Sequence, residues 1–205
     1  IAQDMTGLAA NNTITTASIG AHTVVLTKDT AIANVTFTGS GSLTQASAGT
    51  QTVTLAGDTG GTNVPNNVTA TLKSGATAIN LVSAGSDAGG DNAASLTGTS
   101  LATITVTGSE DVDLTASGTK VLTSVDFSGS TAEEVNFTGN AANTAAITYK
   151  TAAGTQTSGV DTGKGADSIT TGDKDDTVDS TGDGADTVIA GAGNDTISNT
   201  GKGAD

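Results

Sequence analysis

Five aspartates in the last quarter of the chain recur at a fixed spacing that divides them into two sets. Asp167, Asp186 and Asp205 lie 19 residues apart, and Asp176 and Asp195 are separated by the same interval. Carboxylates stacked on successive turns of a coil repel each other unless a cation lies between them. Carboxylate oxygens and free backbone carbonyls together form the all-oxygen site that Ca²⁺ prefers. The spacing therefore predicts a series of calcium sites.

A repeating structural element must position these aspartates. The first four of them along the chain are each followed two residues later by an apolar residue, which makes Ile169 equivalent to Val188 and Val178 equivalent to Ile197. One inward apolar residue per half-unit indicates a short strand on each side of a flattened coil. Glycine-rich turns can join these strands, because glycine adopts backbone angles that are closed to other residues. We therefore expect stacked coils whose equivalent turns lie ~4.8 Å apart.

The last 44 or so residues resemble the repeats-in-toxin nonapeptide, G-G-x-G-x-D-x-U-x, whose coils form a calcium-binding parallel β-roll. The resemblance implies that Asp167, Asp186 and Asp205 bind Ca²⁺ along one edge, and that Asp176 and Asp195 bind it along the other. It also implies carbonyl ligands from the turn glycines, which are Gly163, Gly165, Gly172, Gly182, Gly184, Gly191, Gly193, Gly201 and Gly203. Two further acids of the same turns are weaker candidates, Asp173 and Asp183.

The repeat departs from the family pattern at three points. Threonine stands where the first glycine is expected, at Thr162, Thr181 and Thr200. Lys174 replaces a glycine and brings a positive charge into the turn before Asp176, so we expect the Asp176 site to be the weakest. The unit has 19 residues rather than 18, which adds one residue per coil to one edge. A flexible Gly/Asp-rich linker is the alternative, but such a linker would not keep aspartates and apolar residues in one register.

Residues 1–155 are rich in Thr, Ala and Gly and contain short alternating segments. Each segment reads apolar, polar, apolar, small residue, glycine, and the segments are 35–39, 53–57, 104–108, 125–129 and 135–139. This period of two predicts short strands with one buried face, each ended by its glycine. Residues 112–114 and 147–149 extend the series. We therefore predict an all-β chain, in which a parallel β-helix or β-solenoid over 1–155 continues into a β-roll over 156–205.

A β-sandwich over residues 1–155 is the alternative fold, because strands at 8–12-residue spacing suit it as well. The chain begins without a methionine and stops partway through a repeat unit. We therefore expect it to be part of a larger protein that is truncated within its roll.

Composition narrows the possible functions. Twenty-one acidic residues stand against seven lysines and no arginine, for a net charge of −14. Such a chain repels nucleic acid and anionic membranes and attracts cations. It has no cysteine and one histidine, and it shows no zinc motif, Cys–His pair or catalytic triad. Aromatic platforms for sugars are almost absent, and no apolar run is long enough to insert in a membrane. We expect no enzyme activity within these residues.

Acidic residues outside the repeat are weaker calcium candidates. Asp87 and Asp91 flank a short Gly-containing turn, and Asp111 and Asp113 lie in another acidic turn. Solvated turn acids are the simpler interpretation of both pairs. The adjacent glutamates at 133–134 are expected in an exposed turn.

The acidic, Thr-rich, Cys-free composition together with the repeat is similar to calcium-dependent surface-layer proteins of Gram-negative bacteria. That resemblance implies type I secretion, location at the cell surface and self-association into a two-dimensional lattice ordered by Ca²⁺. It also implies contact with lipopolysaccharide through parts outside this chain. One alternative is the calcium-binding secretion module of an exported enzyme or toxin. Another is a large calcium-dependent adhesin or an ice-binding protein.

Overall fold

A computed structural model describes most of the chain from the first strands to the last turn. The described residues are 3–4, 16–19, 23–25, 34–38, 40–45, 49–56, 67–72, 75–85, 91–179, 182–198 and 201–205. They form short strands joined by turns and contain no helix, and hence no helical segment that could span a membrane.

The strands alternate between two facing walls. Their bounds are β1 Gln3–Asp4, β2 Thr16–Ile19, β3 Thr23–Val25, β4 Asn34–Phe37, β5 Gly41–Gln45, β6 Gly49–Leu55, β7 Asn67–Leu72, β8 Ala76–Ser83, β9 Asn92–Gly98, β10 Thr103–Gly108, β11 Val112–Thr115, β12 Ser124–Ser130, β13 Glu134–Thr138, β14 Thr148–Thr151, β15 Gln156–Asp161, β16 Ser168–Thr170, β17 Thr177–Val178, β18 Thr187–Ile189 and β19 Thr196–Ile197.

Odd-numbered strands β1 to β15 form an eight-stranded sheet, and even-numbered strands β2 to β18 form a nine-stranded sheet. The remaining pair, β17 and β19, continues the odd-numbered wall as a separate two-stranded ladder. Every strand pair within the described residues is parallel. The chain therefore winds as a two-walled parallel β-solenoid. This confirms the predicted fold class, and the sandwich alternative is wrong because each strand pairs with the next strand but one.

Inward-facing residues of successive coils stack in columns that form the core. In the even-numbered sheet Val35 pairs with Val53, and Val53 with Leu81. All three are buried. The unequal sequence intervals between these paired residues show that the number of residues per coil varies upstream of the repeat. Each predicted segment contains a strand, but Gly129 does not end its strand: it lies within β12, where the register with β10 shifts.

The walls pass residue 155 without a break. In the odd-numbered sheet β15 pairs with β13, and in the even-numbered sheet β16 pairs with β14. Within the repeat, Ile169 pairs with Val188 and Val178 with Ile197, as the 19-residue register predicts. The division of the chain at residue 155 stays a prediction from composition.

Candidate metal centre

Glycines at the turns allow successive coils to lie directly on one another. A Cβ on Gly182 would overlap the carbonyl oxygen of Gly163, and a Cβ on Gly201 would overlap that of Gly182. At the other edge Gly191 lies in the same way against the Gly172 carbonyl. The backbone at Gly182 also has a φ of 74°, which side-chain-bearing residues rarely adopt. The repeat therefore needs glycine here so that the turn carbonyls form columns along both edges.

The first aspartate set forms a hydrogen-bonded column along one edge. The Ile147 N–H donates to Asp167 Oδ1 at 2.7 Å, and the Asp167 N–H donates to Asp186 Oδ1 at 2.8 Å. The Asp186 N–H donates in turn to Asp205 Oδ1 at 3.0 Å. Each carboxylate therefore bonds to the backbone of the preceding coil. Ile147 holds the equivalent place one coil earlier, so the acidic column begins at Asp167.

The second set forms a matching column along the opposite edge. The Thr157 N–H donates to Asp176 Oδ1 at 2.7 Å, and the Asp176 N–H donates to Asp195 Oδ1 at 3.0 Å. Here Thr157 holds the place of the aspartate in the coil before the repeat. The structure thus brings together both aspartate sets in the arrangement that their spacing predicts.

The second carboxylate oxygen of three aspartates is buried without a partner. Asp167, Asp176 and Asp186 are only 2%, 1% and 5% exposed, and the Oδ2 atom of each lacks a hydrogen-bond donor. A buried carboxylate that is not fully paired is costly, because it has lost its hydration. Asp195 is half-buried and Asp205 is exposed at the last coil. The three unpaired oxygens have the chemistry and the position expected of ligands for a hard cation.

The pKa of Asp167 also indicates a buried carboxylate with too few compensating groups. Burial raises the pKa of Asp167 above its usual value of 3.8, and hydrogen bonds from the Thr162 side chain and the Ile147 backbone oppose the rise. The neighbouring charges of Asp186 and Asp161 raise the pKa further. The carboxylate is therefore poorly compensated by the protein alone.

No group of three or more acidic or histidine side chains within the described residues is placed to hold an ion. Each ion would be shared between the carboxylates of adjacent coils, and carbonyl oxygens of the turn would complete its ligands. The turn columns that could supply them contain all the predicted glycines, Gly163, Gly165, Gly172, Gly182, Gly184, Gly191, Gly193, Gly201 and Gly203. The residues present therefore fit Ca²⁺, which takes six to eight oxygen ligands.

Lys174 does not occupy the space beside Asp176. Its Nζ points to the Glu133 carbonyl oxygen, 3.5 Å away, and its side chain is exposed. Asp173 and Asp183 are also exposed, and Asp183 Oδ1 accepts a hydrogen bond from the Lys202 N–H at 3.1 Å. These two acids lie outside the buried columns.

The acids before the repeat form a separate group near the first residues of strands β9, β11 and β13 in the odd-numbered sheet. Burial raises the pKa of Asp91, and the charges of Asp113, Asp111 and Glu134 add to the rise. Asp91 and Asp113 are exposed, and Asp111 is half-buried. Asp87 lies outside the described residues. The prediction of an exposed turn is wrong for Glu134, which is half-buried in β13 and whose N–H donates to Asp111 Oδ1 at 2.8 Å.

Asp161 is an acidic residue that the sequence pattern did not single out. It is half-buried, and burial raises its pKa while a hydrogen bond from the Gly163 backbone lowers it. Its side chain lines a groove of about 200 Å³ together with Gly163, Gly182, Asp183 and other turn residues. Asp161 lies off the 19-residue register, and this explains why periodicity alone could not find it.

Comparison with protein-family models, with curated proteins and with solved structures finds no match to this chain. The function must therefore be argued from the geometry of the coils.

Proposed function

We propose that this chain is a calcium-binding structural protein of a bacterial surface layer, exported from the cell and ordered by Ca²⁺ at the cell surface. The supporting observation is the pair of aspartate columns, in which Asp167, Asp176 and Asp186 each bury an unpartnered oxygen. Two other features of the chain, its net charge of −14 and the absence of cysteine, are in keeping with an exported protein held together by metal.

Calcium would act through linkage between binding and folding. Where Ca²⁺ is scarce, the stacked carboxylates destabilise the coils and favour an unfolded, exportable chain. Where Ca²⁺ is abundant, binding to the folded state alone stabilises it by RT ln(1 + [L]/Kd), which is about 4 kcal/mol at a thousandfold excess over Kd. Asp167, Asp176, Asp186, Asp195 and Asp205 would hold the ions, because the turns that precede these aspartates stack their glycine carbonyls along the same edges.

The outward face of the odd-numbered sheet supports a role in a regular assembly. Hydroxyl side chains align on neighbouring strands in one column, which consists of Ser42, Thr69, Ser95, Thr115 and Thr138. Neighbouring strands lie ~4.8 Å apart. A wall with hydroxyls at this repeat offers the same contact on each successive coil, which suits packing against copies of itself in a lattice.

The same column favours one alternative, an adhesin or ice-binding protein that presents ranked hydroxyls to a repeating partner. The secretion-module alternative rests on the β-roll resemblance alone. Electron microscopy separates these possibilities. We expect ordered sheets in millimolar Ca²⁺ and dispersed particles after chelation. Calcium-induced folding without any assembly would instead favour the secretion module, and inhibition of ice growth without assembly would favour the ice-binding alternative.

A matched pair of variants tests whether the aspartate register binds calcium. Asp186→Asn removes a buried carboxylate of the column, whereas Asp179→Asn removes an exposed carboxylate that lies off the register. Both variants lose one negative charge. We expect Asp186→Asn to weaken calcium binding by on the order of tenfold, because affinity depends on the number of charged ligands. Equal calorimetric titrations for the two variants would contradict the stacked-site arrangement.

A further inference from the structure

The outward face of the even-numbered sheet carries far less charge than the rest of the molecule. Its nine strands contain one acidic residue and one lysine, Asp126 and Lys150. The odd-numbered strands that the structure describes contain four acidic residues and no lysine, the acids being Asp4, Asp113, Glu134 and Asp161. The whole chain has a net charge of −14, so two copies repel each other over most of their surface. The even-numbered sheet is therefore the wall where a second copy meets least repulsion.

The two charged residues of this wall are direct neighbours. Asp126 lies on β12 and Lys150 lies on β14, and the two are paired in the parallel register of these strands. Both side chains point outward, because the residues beside them in sequence, Val125, Phe127 and Tyr149, are buried in the core. The wall therefore carries one negative and one positive charge about one strand spacing apart, which is ~4.8 Å.

Such a pair of charges is complementary to a second copy of itself. Consider a two-fold axis that is parallel to the strands and runs midway between β12 and β14. It places Asp126 of one copy against Lys150 of the other, and Lys150 of the first against Asp126 of the second. This is the isologous contact of a two-fold dimer, in which residue i contacts j and j contacts i. The same axis places β10 against β16 and β8 against β18.

The uncharged side chains of the wall also suit contact with a copy of itself. A column of hydroxyl groups crosses five successive strands of the sheet and consists of Thr103, Ser124, Thr148, Ser168 and Thr187. Each hydroxyl both donates and accepts hydrogen bonds. A hydroxyl column can therefore pair with an identical column, which a row of carboxylates could not do.

An exposed apolar side chain lies on the same wall. Ile189 of β18 is 57% exposed. Under the two-fold axis it would face β8 of the second copy, whose outward residues include Ala78 and Val82. The contact would thus remove apolar surface from water, which favours association.

We propose that the even-numbered sheet is a contact surface for a second copy of this chain, in a two-fold dimer centred between β12 and β14. The six strands from β8 to β18 of each copy would cover about 500 Å² per copy, given the strand spacing and about five residues a strand. This area is at the low end for specific interfaces, so the dimer should be weak and reversible. The inference goes beyond the proposed function, because the contact uses neither the aspartate columns nor the hydroxyl column of the odd-numbered sheet.

Sedimentation equilibrium in millimolar Ca²⁺, after any sheets have been pelleted, measures the dimer directly. We expect a wild-type dimer that dissociates on dilution. Lys150→Glu should weaken it by at least about tenfold, because like charges then face each other across the axis. Lys120→Glu makes the same charge change at an exposed turn residue before β12. It is the matched control and should dissociate as the wild type does.

A mixing experiment tests the two-fold arrangement itself. Asp126→Lys also places like charges against each other, so this variant should be monomeric on its own. An equimolar mixture of Asp126→Lys and Lys150→Glu should dimerise again, because opposite charges then meet at both contacts. Circular dichroism checks that Asp126→Lys is folded, since Asp126 Oδ1 accepts a hydrogen bond from the Ser128 N–H at 2.8 Å. The comparison of Lys150→Glu with Lys120→Glu does not depend on that variant.

The outcomes separate this inference from the proposed function. A wild-type chain that stays monomeric at millimolar protein concentration would overturn the inference. Equal dissociation of wild type, Lys150→Glu and Lys120→Glu would overturn it as well, as would a mixture of folded variants that stays monomeric. Ordered sheets formed in Ca²⁺ in any of these cases would leave the surface-layer proposal in place. A charge-dependent dimer that never forms sheets would support the inference and count against the surface layer.

Discussion

The buried carboxylates Asp167, Asp176 and Asp186 each fix one contact between coils and bury one unpaired oxygen. Asp167 and Asp186 each accept a hydrogen bond from a backbone N–H of the preceding coil on one oxygen and bury the other oxygen without a donor. The hydrogen bond fixes the side chain, and the unpaired oxygen imposes a desolvation cost. The same residue therefore orders the stack and leaves one oxygen desolvated, and under the proposed function a bound cation compensates that oxygen.

The raised pKa of Asp167 predicts that acid stabilises the calcium-free protein. A carboxyl whose pKa is higher in the folded state than its unfolded value of 3.8 binds its proton more tightly when folded. The resulting stability is fully present below that unfolded value and is lost as the pH rises through the raised pKa. Asp161 shifts in the same direction. Thermal unfolding in a chelator should therefore occur at a higher temperature at about pH 4 than at about pH 7.

Two controls accompany this measurement. Asp167→Asn should flatten the pH dependence, because the amide does not titrate. In Ca²⁺ the pH dependence should reverse, so that the unfolding temperature is higher at about pH 7 than at about pH 4. The reason is that protons compete with the metal for the same oxygens. A chelated wild-type protein whose stability rises with pH over this range would contradict the assignment of Asp167 as a poorly compensated carboxylate.

At the scale of the element, each coil of the repeat consists of very short strands and tight turns. β16 has three residues and β17 has two, so neither strand would be stable alone. Their order comes from the coil before and the coil after. The turn glycines permit that contact, because the carbonyl of one turn lies directly against the Cα of the next.

Substitution at a turn glycine should therefore abolish stacking locally. In Gly182→Ala the new methyl group would overlap the Gly163 carbonyl, and the backbone has a φ of 74°. We expect a loss of more than about 2 kcal/mol in urea unfolding of the calcium-loaded protein. Gly154→Ala is the control, because nothing lies within 4 Å of its Cβ position, and it should change stability by less than about 0.5 kcal/mol. Similar effects of the two substitutions would contradict the close approach of the turns.

The sequence predicted the repeat more completely than the upstream coils, for a physical reason. In the repeat every coil has the same length, so Asp186 and Val188 must align with Asp167 and Ile169. Upstream, Val53 pairs with Leu81 across a much longer interval, which alternation within a strand cannot reveal. Thr157 was missed as a site residue because one threonine in a Thr-rich chain carries no signal. Only the three-dimensional register places it where an aspartate stands in the next coil.

At the scale of the whole molecule, the solenoid is a one-dimensional stack in which each coil contacts its neighbours. Stability in such a stack is the sum of contributions from single coils and from the interfaces between them. The aromatic group of Phe127, Phe137 and Tyr149 lies beside the first coil of the repeat, since Tyr149 pairs with Ile169, and it therefore links the apolar core to the repeat. A substitution that destabilises the core is therefore expected to destabilise the repeat as well.

Removal of one core ring tests this coupling. Phe127→Ala leaves a cavity at a fully buried position and should cost about 3–5 kcal/mol in urea unfolding. Because folding and calcium binding are linked, the apparent calcium affinity should fall as well. Val121→Ala, at a side chain that is 43% exposed, is the control and should have little effect on either. An unchanged calcium affinity in Phe127→Ala would show that the repeat folds independently of the upstream coils.

Amide hydrogen exchange with Ca²⁺, compared with exchange in a chelator with Mg²⁺ present, tests the central claim most directly. If the aspartate columns fold on binding calcium, residues 156–198 should be strongly protected in Ca²⁺ and should exchange rapidly after chelation. Protection gained in Ca²⁺ should diminish coil by coil towards β10, because coupling passes only between neighbours. Equal protection of 156–198 in both conditions would show that the aspartate columns fold without calcium, and would contradict the account.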